Sequence, residues 1–164
     1  MKTLNKRILF AIISLLLVSN VSFAQTQAKP VVFADNNIKS IYQDYAKLDA
    51  ALVKGDAAAV KAAATALASS LKLVPEAKSI AGKASQIVLS KEVKEQHVYF
   101  AGISIDVIAL VKKSGLKSGE LYVTHCPMAL DHKGAYWLSG SKEINNPYFG
   151  KMMLRCGSVE ETIK

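Results

Sequence analysis

The sequence predicts a mainly α fold, an antiparallel bundle of three to four helices with an irregular Cys-, Met- and His-bearing C-terminal segment packed on it. Three observations predict it. Apolar residues recur at spacings of three and four between Ile38 and Val111. Helix caps and stops punctuate that pattern at Asp35, Gly55, Asp56 and Gly115. The connections between periodic stretches are short, which places successive helices side by side and antiparallel.

The chain of 164 residues is one domain's worth and is long enough to bury a core. Residues 1–24 read as a secretory signal peptide. Lys2, Lys6 and Arg7 form a positive start, Ile8 to Val18 an apolar run, and Ser22-Phe23-Ala24 a small-residue cleavage site before Gln25. The apolar run falls short of the ~20 residues a spanning helix needs, so no stable membrane insertion is expected. Export places both cysteines in an oxidising compartment.

The formal charge of +8 includes three basic residues of that leader; the mature chain carries 18 basic and 13 acidic residues, +5. Its lysines are spread over helical segments and are not massed with aromatics, which argues against nucleic-acid binding.

Residues 25–35 form a flexible lead-in, with Val31-Val32-Phe33 as a short extended piece. Residues 36–164 form the single domain. Ile38, Ile41, Tyr42, Tyr45, Leu48, Leu52 and Val53 define a first amphipathic helix, capped at Asp35, Asn36 or Asn37 and stopped at Gly55. Asp56 opens a second through Val60, Ala64, Leu67, Leu71 and Val74, rich in Ala and so suited to close packing. Pro75 begins a third, with Ile80, Ala84, Ile87 and Val88 as its apolar set. The longest helix runs from about Ser90 to Lys113. Val93, His97, Phe100, Ala101, Ser104, Ile105, Ile108 and Val111 make its inner face.

Beyond Gly119 the chain changes character. Glu120 to Thr124 reads as a short strand, Gly134 to Ser139 as a helical turn, Asn146-Pro147 as a turn and Ser158 to Ile163 as a terminal helical piece. Between Tyr122 and Cys156 lie both cysteines, three of the four Met, two of the three His and the only Trp. Thiolate, thioether and imidazole together select soft ions, with Cu(I) first and Ag(I) or Zn(II) behind it. The candidate ligands are His97, His125, Cys126, Met128, Met153 and Cys156. Zinc is disfavoured because it prefers closed sets of four, and paired Cys-x-x-Cys spacing is absent.

Each residue also has a plainer role. Cys126 and Cys156 can form a disulfide, worth roughly 3–4 kcal/mol for a loop of that length. Met152 and Met153 can fill core gaps, His97 can be a hydrogen-bonded core imidazole, and His132 reads as solvated. Trp137, Tyr148 and Phe149 suit an apolar lid that seats the segment on the bundle.

His125-Cys126-Pro127-Met128-Ala129, Gly134-Ala135, Trp137-Leu138-Ser139, Ile144, Asn146-Pro147-Tyr148-Phe149-Gly150, Met153-Leu154 and Cys156-Gly157 together resemble the signature of a bacterial family of domains of unknown function. Its members are small exported proteins, or domains joined to periplasmic adaptor subunits of copper and silver efflux pumps. They carry a His-aromatic pair on the last long helix, which His97 and Phe100 match. Cys126-Pro127-Met128 also resembles the Tyr-x-Cys-Pro-Met-His-Pro motif of small heavy-metal-binding domains, though Ala129-Leu130 stands here where that motif has His-Pro. The resemblance implies a metal-efflux context, with an efflux adaptor as the partner.

Three function classes follow. The first is a periplasmic metal-binding protein or metallochaperone for Cu(I) or Ag(I). The second is a disulfide-stapled helical interaction module of the cell envelope that binds no metal. The third, an enzyme with a Cys nucleophile, is disfavoured: there is no active-site elbow, phosphate loop or paired-carboxylate arrangement.

Overall fold

The computed structural model describes residues 29–164. The leader expected over residues 1–24 and the first part of the lead-in lie outside the described residues.

A two-residue strand, β1 (Val32–Phe33), precedes four helices: α1 (Asn36–Lys54), α2 (Ala57–Lys72), α3 (Lys78–Leu89) and α4 (Val93–Ser114). Asp35 caps α1, its Oδ1 accepting from the N–H groups of Asn37 at 2.6 Å and Ile38 at 3.3 Å, which contributes about 1 kcal/mol. Gly55 ends α1 in a left-handed conformation, φ 70°, that a residue with a Cβ adopts only with strain. Asp56 caps α2 in the same way, through the N–H of Ala59 at 3.0 Å. A 3-10 turn, Pro75–Ala77, leads into α3.

Each helix packs on the next and α4 returns to α1, closing a four-helix bundle. Ile41, Tyr45 and Leu48 of α1 meet Leu67 and Leu71 of α2, Ile87 of α3 and Phe100, Ile103 and Val107 of α4 in one continuous core. Ala63, Ala64 and Ala68 of α2 are buried, as close helix approach requires. On α4 the inner face differs from the expected one. Val93 and Ile105 are exposed while Gln96, Ile103 and Val107 are buried, because α4 packs on α1 and α3 and also on the C-terminal sheet.

That sheet corrects the expectation of an irregular C-terminal segment. β2 (Leu116–Ser118) pairs antiparallel with β1 and ties the lead-in to the end of α4. β3 (Leu121–Cys126) is the centre of an antiparallel sheet, flanked by β4 (Ala135–Ser139) and β5 (Ser158–Ile163) in the order β4-β3-β5. The helical turn expected over Gly134 to Ser139 is therefore β4, and the terminal helical piece is β5. Glu160 is the extra residue of a bulge, since Val123 pairs with Glu161 and Thr124 with Val159. Backbone hydrogen bonding to β3 and burial of Trp137 and Leu138 outweigh the helical leaning of a short Glu-bearing segment.

Tyr45 joins bundle to sheet. Its hydroxyl shares a 2.8 Å hydrogen bond with Ser104 of α4 and accepts from the N–H of Leu138 in β4 at 3.0 Å, all in the core. No helix among the described residues is long and apolar enough to cross a membrane.

Candidate functional site

A strand presents successive side chains on opposite faces, so the adjacent residues His125 and Cys126 part company at the end of β3. His125 stacks on Tyr136, its cross-strand neighbour, with ring centroids 4.3 Å apart. Cys126 turns inward and is fully buried.

Pro127 ends the strand and Met128 follows, 39% exposed. The chain then makes a turn over Ala129–His132 in which Leu130, Asp131 and His132 all have positive φ (52°, 58° and 64°). Three successive left-handed residues with side chains cost roughly 1–2 kcal/mol each. The turn is held by backbone hydrogen bonds from His132 to Met128 (3.3 Å) and from Gly134 to Ala129 (3.0 Å). Asp131 also pairs with Lys94 of α4 at 2.6 Å, an exposed contact of small energetic weight.

The segment between β4 and β5 is organised by Asn146, which is fully buried. Its side chain donates to the carbonyl of Cys156 (2.7 Å) and accepts from the N–H of Tyr148 (2.8 Å). Its own N–H donates to Leu154 O (2.9 Å), and its carbonyl accepts from Gly150 (3.0 Å). This clamp brings Cys156 against Cys126 of β3 and Met153 toward His97 of α4. Tyr148 completes the seat: its hydroxyl donates to Tyr136 O at 2.7 Å. Its ring packs against Trp137, Phe100 and His97 with centroids 6.0, 5.8 and 5.9 Å away.

These elements enclose a cleft of about 420 Å³. His97 from α4, Met128 from the end of β3 and Met153 from the Asn146-clamped segment all line it, with Tyr148 and Phe149. Leu130, Asp131 and His132 of the left-handed turn, with Lys94, complete its lining. His97 is half-buried, and that burial pushes its pKa below the usual imidazole value, so it stays neutral and able to donate a lone pair to a metal.

Cys126 and Cys156 are not among the lining residues. They face each other, Sγ to Sγ at 2.9 Å, as free thiols. The hydrogen bond with Cys126 raises the pKa of the Cys156 thiol, with burial adding to it. Two sulfurs sharing one ion at about 2.3 Å each stand roughly 3.8 Å apart in tetrahedral geometry, so holding an ion between them requires the pair to open by about 0.9 Å.

Of the six ligands expected from sequence, three therefore line one cleft (His97, Met128, Met153), two pair with each other (Cys126, Cys156), and His125 lies against Tyr136. Met152, by contrast, is 83% exposed. Among the described residues no three or more His, Cys, Asp or Glu come together in a way that could hold a metal ion.

Sequence reasoning missed two residues. His132, read as solvated, is exposed yet lines the cleft; nothing in the sequence signals the positive φ that places it there. Asn146, read as part of a turn, is the clamp. The Asn-Pro-Tyr pattern, an Asn able to bond backbone two residues on, was the available signal.

Residues 41–119 match the family model described as Protein of unknown function (DUF3347). The match covers just under half of the chain, from α1 through β2, and stops before the sheet. His97 and Phe100 fall inside it, whereas Met128, Met153 and both cysteines fall beyond it. No curated protein and no solved structure matches the chain.

Proposed function

We propose that this chain is an exported binding protein or metallochaperone for a soft metal ion, Cu(I) first and Ag(I) by the same chemistry, serving heavy-metal resistance. The observation that carries the reading is the convergence of His97, Met128 and Met153 on one cleft from three separate elements. Two thioethers and a neutral imidazole offer soft, uncharged donors. These suit a soft monovalent ion and hold Mg(II) or Ca(II) poorly, since those require oxygen ligands. Zn(II) is the weaker candidate because it draws on thiolate, imidazole and carboxylate in sets of four. The exposed side of Met128 gives an ion a route in and out, as delivery to a partner demands.

The leader-like residues 1–24 support export to the periplasm. The resemblance of the C-terminal signature supports a periplasmic adaptor of a heavy-metal efflux pump as the protein that receives the ion. The activity of the cleft itself is binding and transfer of the ion.

One observation favours a second reading. The 2.9 Å separation of Cys126 and Cys156 suits a disulfide, which would make the chain a stapled interaction module of the envelope without metal.

An anaerobic competition titration of the reduced protein against a Cu(I) chelator separates the two. Binding of about one Cu(I), weakened at least tenfold by His97→Ala, Met128→Leu or Met153→Leu and little changed by His125→Ala, is the expected result. Absence of Cu(I) binding would leave the stapled module as the function.

A further inference from the structure

The two arms of the cleft carry the same pair of side chains in mirrored order. One arm runs Cys126-Pro127-Met128 and the other Met153-Leu154-Arg155-Cys156. The thioethers of the two arms line the cleft, and the thiols of the two arms meet at 2.9 Å outside its lining. The second arm holds its shape through the Cys156 N–H donating to Met153 O at 3.1 Å and the Cys156 carbonyl held by Asn146. The fold thus divides its sulfur into two kinds, thioethers that can coordinate but cannot form a disulfide and a dithiol that can give up two electrons with little movement of either arm.

We propose that Cys126 and Cys156 are a built-in reductant for the cleft, converting Cu(II) to the Cu(I) that His97, Met128 and Met153 hold. This rests on the metal-binding reading above. In the balanced step both S–H bonds break and one S–S bond forms. The two protons leave to solvent, and two Cu(II) ions each take one electron to become Cu(I). One Cu(I) is retained by the thioethers and imidazole; the other departs. The thioethers take no part in the electron transfer, because a disulfide requires two thiols. The product disulfide links the two arms that carry Met128 and Met153, so the step that makes the ion also fixes the walls around it. The oxidant is the substrate itself, and an external dithiol or thioredoxin-like reductant restores the thiols between turns.

The test adds Cu(II) salt to the reduced full-length mature protein under anaerobic conditions. It follows thiol titre, Cu(I) with a chromogenic Cu(I) chelator, and intact mass. The expected result is a fall from about two thiols to none, about two Cu(I) formed per chain, and a monomer lighter by two hydrogens, at a rate per chain independent of protein concentration. Thiols that persist, or disulfides that form between chains, would overturn the proposal.

A Cys126→Ser, Cys156→Ser double variant reports on the cleft alone. It should hold Cu(I) supplied directly within about threefold of wild type and form no Cu(I) from Cu(II); reduction at the wild-type level would sink the idea. Because Cys126 is buried, pre-oxidised wild-type protein serves as a second form with the native fold, and the same two results are expected of it. Loss of Cu(I) binding on oxidation would mean that the thiols are ligands and would overturn this division of labour. If no form holds Cu(I), the metal-binding reading fails, and the thiol titre still decides the redox step independently.

Discussion

Asp49 carries a cost that the fold tolerates. Its Oδ1 is shut off from solvent and has no hydrogen-bond partner among the described residues. Burial pushes its pKa from 3.8 up to about 8, and its charge bears on Tyr42, Tyr45 and Tyr148. The unfolded carboxyl loses its proton near 3.8 and the folded one near 8. Between those values the folded chain holds the extra proton, and stability falls as pH rises. The penalty is absent below about pH 4 and complete above about pH 8. Thermal unfolding should therefore give a higher Tm at pH 5 than at pH 8. Asp49→Asn should flatten that slope and stabilise the protein at pH 8 by on the order of 2–4 kcal/mol; an unchanged slope would clear Asp49 of the effect. Gly157 is constrained differently. At φ 134° a Cβ there would stand 2.7 Å from the His125 carbonyl oxygen and 3.0 Å from the Trp137 ring. Gly157→Ala should cost about 2 kcal/mol or more in denaturant unfolding, through strain and forced displacement of β3.

At the scale of elements, the Tyr45 hydroxyl is the buried hydrogen-bonding link between bundle and sheet. Tyr45→Phe keeps the ring, which stacks on Phe100 at 5.4 Å, and removes only the hydroxyl. The buried N–H of Leu138 and the hydroxyl of Ser104 then lose a partner, so unfolding by urea should show a loss of about 1–3 kcal/mol. A change under 0.5 kcal/mol would mean that the link lies elsewhere. The helices were legible in sequence because their signals are local: a period of 3.6, Asp35 and Asp56 as caps, and Gly55 and Gly115 as stops. The sheet was less so, because its signals are not local. β5 hides its alternation behind the Glu160 bulge. In β4 both Trp137 and Leu138 are buried, so no inside-outside pattern survives. β3, the central strand, was recognised because Tyr, Val and Thr cluster there.

At the scale of the whole molecule, the cleft proposed to hold the ion lies where bundle, sheet and the Asn146-clamped segment meet. Clustering of Met, His and Cys in the sequence pointed to that region. The division within it could not be read, since strand alternation sends His125 and Cys126 to opposite faces and a left-handed turn brings His132 to the cleft. The most direct measurement follows the methyl resonances of Met128, Met152 and Met153 by NMR as Ag(I), a stand-in for Cu(I) that does not oxidise thiols in this experiment, is added to the mature protein with its cysteines joined as a disulfide. The account predicts that the Met128 and Met153 methyls shift together and saturate at about one ion per chain, accompanied by the ring protons of His97, while the exposed Met152 methyl stays in place. Saturable binding that leaves Met128 and Met153 unmoved, or no binding until the thiols are freed, would contradict it.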